Sequence, residues 1–264
     1  NYLKESYIFF LLPMIIAVVL VPVVKYAGYR LGIYAVENQR TVHQGKIVSI
    51  GGVAIFLAFI ITMSILFIAD KTINSIIIGG MIIFFTGLVD DMIDLSPKIK
   101  LLMQSIAAII AMSVGGIYIE VLNLPFGIAF DTGILSLIVT FLWIVGVTNA
   151  INLIDGLDGL SSGTSIIVLV TVSIIAFMMN RVDVTYIALV LAGASFGFWF
   201  FNFHPASIFM GDSGALFLGY NIACISLLGF KTATFITLGF PIVILFVPIS
   251  DTLMAIVRRR LKSE

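Results

Sequence analysis

Long apolar runs, broken only by short polar segments, dominate this chain. Nine of them approach the ~20 residues a helix needs to cross a bilayer core, at 7–24, 50–69, 73–89, 99–119, 133–151, 162–179, 184–203, 213–230 and 232–257. The pattern predicts an all-α, polytopic integral membrane fold of about nine transmembrane helices, with the third and eighth runs short for full spans. No long polar stretch separates the runs, so residues 1–264 read as a single transmembrane domain. Pro241 and Pro248 fall inside the ninth run, where a kinked or broken helix is expected. Between the fourth and fifth runs, Asn123–Gly133 places Pro125, Gly127 and Gly133 among apolar residues, a pattern that suits a small external β-hairpin.

Composition supports the membrane assignment. Hydrophobic residues make up 61% of the chain and charged ones 11%, too little polar surface for a soluble globule. A formal net charge of zero argues against a nucleic-acid partner. The single cysteine, Cys224, lies in an apolar run and reads as a buried structural residue. The first run is too long for a signal peptide and lacks a small-residue cleavage site. Loop charges set the orientation. Lys25, Arg30, Arg40, Lys46, Lys98, Lys100, Arg258, Arg259, Arg260 and Lys262 fall on one side, against Lys4, Lys71, Arg181 and Lys231 on the other. The positive-inside rule then puts the N-terminus outside and the C-terminus in the cytoplasm.

The acidic residues carry the candidate chemistry. Asp90, Asp91 and Asp94 close the third run, Asp155 and Asp158 follow the fifth, and Asp212 precedes the eighth, all on the cytoplasmic side. Carboxylates at membrane depth are costly unless paired, hydrated or metal-bound. A solvated helix end explains any one of them; three clusters on one face point to a site. The adjacent Asp90 and Asp91 repel, and the pair is best tolerated beside a cation; alternatively one of the two holds a raised pKa and acts as a general base. Pro97 predicts a turn after them. Lys98 and Lys100 then follow, each able to meet a phosphate or simply to anchor the chain at the membrane surface.

Asn152, Asp155 and Asp158 recur every three residues, which aligns them on one face of a helix or helical turn. Gly156, Gly159 and Gly163 leave room for a ligand to reach the backbone. The spacing does not fit an EF-hand. Further on, Pro205 marks a loop, and Asp212-Ser213 reads as the N-cap of the eighth span. A helix N-terminus favours a diphosphate, and Mg²⁺ is commonly held by one or two carboxylates plus substrate phosphates, a role open to Asp212. His43 and His204, the only histidines, are too few for a zinc site. The chain has no P-loop.

The strings GLVDD (87–91), LSPKIKLLMQ (95–104), NAINLIDGLDGLSSG (149–163) and FNFHPASIFMGDSGALFLGY (201–220), with RTVHQGKIVSIGG (40–52), span most of the chain in order. They resemble the polyprenyl-phosphate N-acetylhexosamine-1-phosphate transferases. The WecA/TagO-like branch, which starts O-antigen, enterobacterial common antigen or wall teichoic acid assembly, is the better match. The MraY branch of peptidoglycan synthesis usually carries a threonine-rich GTPT-type segment where this chain has GKIVSIGG.

That resemblance implies attack of undecaprenyl phosphate on the β-phosphorus of a UDP-N-acetylhexosamine, UDP-GlcNAc above all, with release of UMP. It implies a Mg²⁺ requirement, with Mn²⁺ as a substitute, a homodimer among membrane lipids, and a site facing the cytoplasm from a bacterial cytoplasmic membrane. By resemblance Asp212 is the metal ligand, Asp90 and Asp91 are the catalytic pair, and Lys100 is an active-site lysine. Asn152, Asp155 and Asp158 match polar residues lining the nucleotide-sugar pocket, the two aspartates counting with the catalytic set. Asn202 and Phe209 match uracil contacts, Phe209 by stacking, and Gly211 joins them in the substrate-binding set. Direct displacement and an aspartyl-phosphate intermediate both remain open.

Relatives carry a histidine-rich cytoplasmic loop after the ninth span, so a C-terminal truncation and at least one further span beyond Glu264 are expected. Two other readings compete. A transporter using carboxylates as ion sites would place them near mid-span and show inverted repeats, neither of which is evident. An inactive membrane scaffold for envelope assembly would have no need of the full aspartate set.

Overall fold

The computed structural model describes residues 2–35, 47–66, 70–124, 128–229 and 232–234. Among them run eight helices: α1 Tyr2–Leu31, α2 Gly52–Ile65, α3 Lys71–Ile93, α4 Pro97–Ser113, α5 Leu135–Ile154, α6 Leu160–Met178, α7 Val182–Asn202 and α8 Gly211–Gly229. Six of these, all but α2 and α4, are long and apolar enough to cross a membrane. The chain is a polytopic membrane protein.

Local chemistry sets the boundaries. Asp70 caps α3 by accepting the Thr72 N–H at 3.3 Å, and Pro97 opens α4, where its missing N–H costs nothing. Between α3 and α4 the chain reverses through Asp94 in the left-handed region (φ 54°), so the turn expected at Pro97 is present. The fourth run, expected over 99–119, ends its helix at Ser113 because the chain turns through Gly115 and Gly116, the latter at φ +65°. The second run shortens from 50–69 to the 14 residues of α2, while the third lengthens to the 23 of α3.

The expected hairpin is present. Strand β1 (Val121–Leu124) pairs antiparallel with β2 (Ile128–Asp131), from Val121↔Asp131 to Leu124↔Ile128. One expectation is corrected here. The ninth run was expected to be helical from residue 232, but Thr232–Thr234 form strand β3, parallel to β1, in keeping with the β preference of threonine. The rest of that run, with Pro241 and Pro248, lies outside the described residues, as does His43.

Helix α8 is the axis of the bundle. The share of its span buried by protein is 89%, against 22% for α1, which presents Ile15, Val19 and Val23 outward. In lipid, helices associate by close packing rather than by escape from water, and the α8 surroundings are built for it. Phe56 stacks on Phe84 with centroids 3.8 Å apart, and Phe217 of α8 meets Phe56 edge-on at 5.4 Å. Gly52 of α2 lies directly against Gly214, where neither tolerates a side chain. Cys224 is buried in this core as a free thiol.

Candidate active site

Helices α3 and α5 end, and α8 begins, at one end of the bundle, opposite the hairpin that joins α4 to α5. That arrangement brings Asp90, Asp91, Asp155 and Asp212 together, with Lys100 from the first turn of α4 and Asn152 from the last turn of α5. The Lys100 Nζ donates to Asp90 Oδ2 at 2.8 Å and to Asp212 Oδ2 at 3.1 Å, bridging two helices. Asp90 also accepts the Leu95 N–H at 2.7 Å, which ties the α3–α4 turn to its side chain. Asn152 Nδ2 donates to the other Asp212 oxygen at 3.0 Å, so Asp212 is oriented from both sides. Asp91 accepts two backbone N–H groups, those of Asp212 at 2.7 Å and Ser213 at 3.0 Å.

Beside this network lies a cavity of about 320 Å³, lined by Ala35, Ser49, Asp91, Asp155, Gly156 and Leu157 and by Asn202, Phe209, Gly211 and Asp212. That volume is in the range of small-molecule sites. Asp155, the residue that ends α5, makes no side-chain hydrogen bond or ion pair to the described residues. Burial, with the charges of Asp212 and Asp91 nearby, pushes its carboxyl up to about 8.

Asp158 is turned to another task. Its Oδ2 lies 3.0 Å from His204 Nδ1 and accepts the Ala206 N–H at 3.1 Å, clasping the α5–α6 turn to the α7–α8 loop. The three-residue alignment therefore divides: α5 stops at Ile154, Asn152 and Asp155 stay at the site, and Asp158 leaves it. Asn202 lines the cavity while its amide is held at both ends, accepting from Ser162 Oγ at 2.7 Å and donating to the Ile208 carbonyl at 3.0 Å. Phe209 sits in an extended segment pinned to residues 48–52, its N–H donating to Val48 and its carbonyl accepting from Gly51, each at 2.9 Å. Gly211 takes φ +74°, where a Cβ would strike the Ser49 carbonyl. Of the two lysines, Lys100 joins the network while Lys98 is exposed.

Sequence reasoning missed two features. Helix α8 starts at Gly211, so Asp212 sits inside the first turn and is not the N-cap; the capping carboxylate comes from Asp91. The available signal was the start of the helix itself, where neither Met210 nor Gly211 offers a capping side chain. Ala35, Ser49 and Leu157 also line the cavity; Ser49 lies in the RTVHQGKIVSIGG string and Leu157 in NAINLIDGLDGLSSG, but neither stands out there by its chemistry, and Ala35 lies in no such string.

Asp90 and Asp212 meet on Lys100, and Asp91 and Asp155 stand close to Asp212, more acidic groups than one lysine balances, a gathering that suits a divalent cation. Among the described residues no three His, Cys, Asp or Glu side chains converge into an all-protein metal cage. The donor set of hard oxygens instead fits Mg²⁺ or Mn²⁺ held by one or two carboxylates and completed by ligand phosphates.

The site residues Asp90 to Asp212 all lie within residues 73–230, which match the family described as glycosyl transferase family 4. The chain belongs to glycosyl transferase family 4. This family 4 chain is 40% identical over 258 residues to a Bacillus subtilis protein named "probable undecaprenyl-phosphate N-acetylglucosaminyl 1-phosphate transferase", covering 97% of the chain and 72% of that relative. A Mycobacterium tuberculosis relative, named decaprenyl-phosphate N-acetylglucosaminephosphotransferase, is 32% identical over 89% of the chain and 66% of its own length. A phospho-N-acetylmuramoyl-pentapeptide-transferase of Listeria monocytogenes is 46% identical, but only over 112 residues, 42% of the chain and 35% of the relative. The family 4 assignment makes the chain a glycosyl transferase, and its helices make it a membrane-embedded one.

Proposed function

We propose that the chain transfers N-acetylglucosamine-1-phosphate from UDP-GlcNAc to undecaprenyl phosphate, releasing UMP, as the initiating step of a cell-envelope glycopolymer. One observation carries this reading: Asp212 stands at the N-terminus of α8, held by Lys100 and Asn152, at the edge of a cavity large enough for a ligand. Two relatives that align over most of the chain are named for this chemistry on polyprenyl phosphates.

In this reading the uridine enters beside Phe209 and Asn202, and the diphosphate reaches Asp212. A phosphate oxygen of the lipid attacks the β-phosphorus, the bond to the UMP oxygen breaks, and UMP leaves with the electron pair. Asp212, with Asp155 facing it, would hold Mg²⁺, which neutralises charge on the diphosphate. Lys100 offers its ammonium to the phosphates, and Asp90 and Asp91 form the acidic pair toward the lipid phosphate. Asp158 supports the pocket through its clasp on the α7–α8 loop. Lys98 and Lys100 follow α3 at this end of the bundle, and the positive-inside rule supports a site that faces the cytoplasm, where nucleotide sugars are available.

The test supplies purified protein with undecaprenyl phosphate and Mg²⁺, and compares UDP-GlcNAc, UDP-GalNAc and UDP-MurNAc-pentapeptide by UMP release. UDP-GlcNAc should be turned over best, chelation should stop the reaction, and Asp212→Asn should lower kcat by roughly 10²-fold or more. Preference for the pentapeptide donor would move the chain to the peptidoglycan reaction. Undiminished turnover by Asp212→Asn would remove the metal assignment.

A further inference from the structure

We infer that Asp91 is a positioning residue, which caps α8 from a neighbouring helix and so aims Asp212, and that it is not the proton acceptor of the reaction. Helix N-termini leave their first N–H groups without intrahelical acceptors. Most helices meet this need with a Ser, Thr, Asp or Asn at the cap. Here the residue that opens α8 is Gly211 and the one before it is the buried, apolar Met210, so the local sequence supplies no cap. Asp91 supplies it from α3. Its Oδ1 takes the Asp212 N–H and its Oδ2 the Ser213 N–H, a fork in which each oxygen holds one donor.

The backbones around the fork are arranged for it. At Gly87, one turn before Asp91, an added Cβ would stand 2.5 Å from the Asp212 carbonyl oxygen. At Gly211 it would stand 2.7 Å and 2.8 Å from the two Asp91 oxygens. Both glycines are the condition for α3 and α8 to approach this closely. Both Asp91 oxygens are taken up by donors at the start of α8, so the carboxyl is turned to the helix end, where the helix dipole also favours it. Asp90 differs, since its partners are the Lys100 ammonium and a turn N–H. The neighbouring carboxylates thus divide their labour, Asp90 facing Lys100 and Asp91 holding the helix that carries Asp212.

The activity arm of the test rests on the transferase reading; the exchange arm does not. Hydrogen exchange of the full chain in detergent, without metal or substrate, is read at the Asp212 and Ser213 amides. In the unaltered protein these should be as protected as the interior of α8, and rapid exchange there overturns the proposal before any variant is made. Asp91→Asn turns an NH₂ toward one of the two donors. It should speed exchange at these amides by roughly fivefold to tenfold, the size of a lost cap, whereas Asp90→Asn should leave them unchanged.

In the UMP assay Asp91→Asn should lower kcat/KM while keeping the acid limb of the pH profile. Loss of that limb with unchanged exchange would identify Asp91 as the base and sink the inference. Gly87→Ala, which touches no reacting group, should reproduce both effects, and covers the case in which Asp91→Asn does not fold. Unaltered exchange and turnover in that variant would also count against the inference. If the wild type releases no UMP, the transferase reading fails while the exchange result still decides the role of Asp91.

Discussion

At the scale of single residues, the site is a set of carboxylates with unequal partners. Asp90 has Lys100 and the Leu95 N–H, Asp91 has two helix N–H groups, and Asp212 has Lys100 and Asn152. Asp155 has no such partner among the described residues, and burial, joined by the charges of Asp212 and Asp91, pushes its carboxyl up to about 8. Its folded-state value therefore stands above the ~3.9 of a free aspartate. The folded protein keeps a proton that the unfolded chain has released, so stability falls as pH rises from ~4 toward 8 and levels off above. Asp155→Asn, neutral throughout, should melt higher than wild type in detergent without divalent cations. That advantage should grow as pH is raised from about 5 to about 8 and then stay constant. Thermal unfolding across this range checks it, and a difference independent of pH would show that neither burial nor the neighbouring carboxylates raise Asp155. The same logic explains why the acidic positions were visible in the sequence while their division was not. Charges at the ends of apolar runs stand out by cost alone, whereas Asp91 differs from Asp90 only through a helix more than a hundred residues further on.

At the scale of elements, the apolar runs foretold the helices well because a bilayer leaves the backbone little choice but the α-helix. The misplaced boundaries have particular causes. The fourth helix ends at Ser113, ahead of Gly115 and Gly116, although the apolar run continues to 119, since hydropathy does not register a left-handed glycine. At 232–234 the threonines pair with β1, an interaction across more than a hundred residues that no local window contains. How the helices pack was equally hidden, because small residues mean little until a neighbour is known. Gly193 and Gly197 of α7 show this: they share one face, and a Cβ at either would strike a backbone carbonyl of α1, that of Phe10 at the first and of Met14 at the second. Small residues at this spacing let two membrane helices approach through their backbones. Gly193→Leu should therefore force α1 away and destabilise the fold by about 1–3 kcal/mol, the usual cost of overpacking. A lowered melting temperature in detergent would show it. Gly146, which has open space around its Cα, is the matched control on α5 and should accept alanine without loss.

At the scale of the whole molecule, the direction of α3 ties chemistry to topology. This helix begins at the exposed Lys71 and ends beside Asp90, and the exposed Lys98 follows at the site end, so one helix separates two lysines on opposite faces of the membrane. A donor carrying uridine diphosphate can reach Asp212 only from the face that holds Lys98. If the bundle sat the other way round, the cavity would open away from the nucleotide-sugar pool, and the proposed reaction would have no donor. The chain suits a direct measurement, because its single cysteine, Cys224, is buried and should stay silent to thiol reagents. Lys71→Cys strengthens the lysine and arginine imbalance that sets orientation by one charge and Lys98→Cys weakens it by one, and the excess on the Lys98 side survives either change. With a membrane-impermeant maleimide, Lys71→Cys should label in right-side-out vesicles and Lys98→Cys only in inside-out ones. The reverse pattern would leave the aspartate network intact but face it outward, and the choice of a cytoplasmic UDP-sugar as donor would then have to be abandoned.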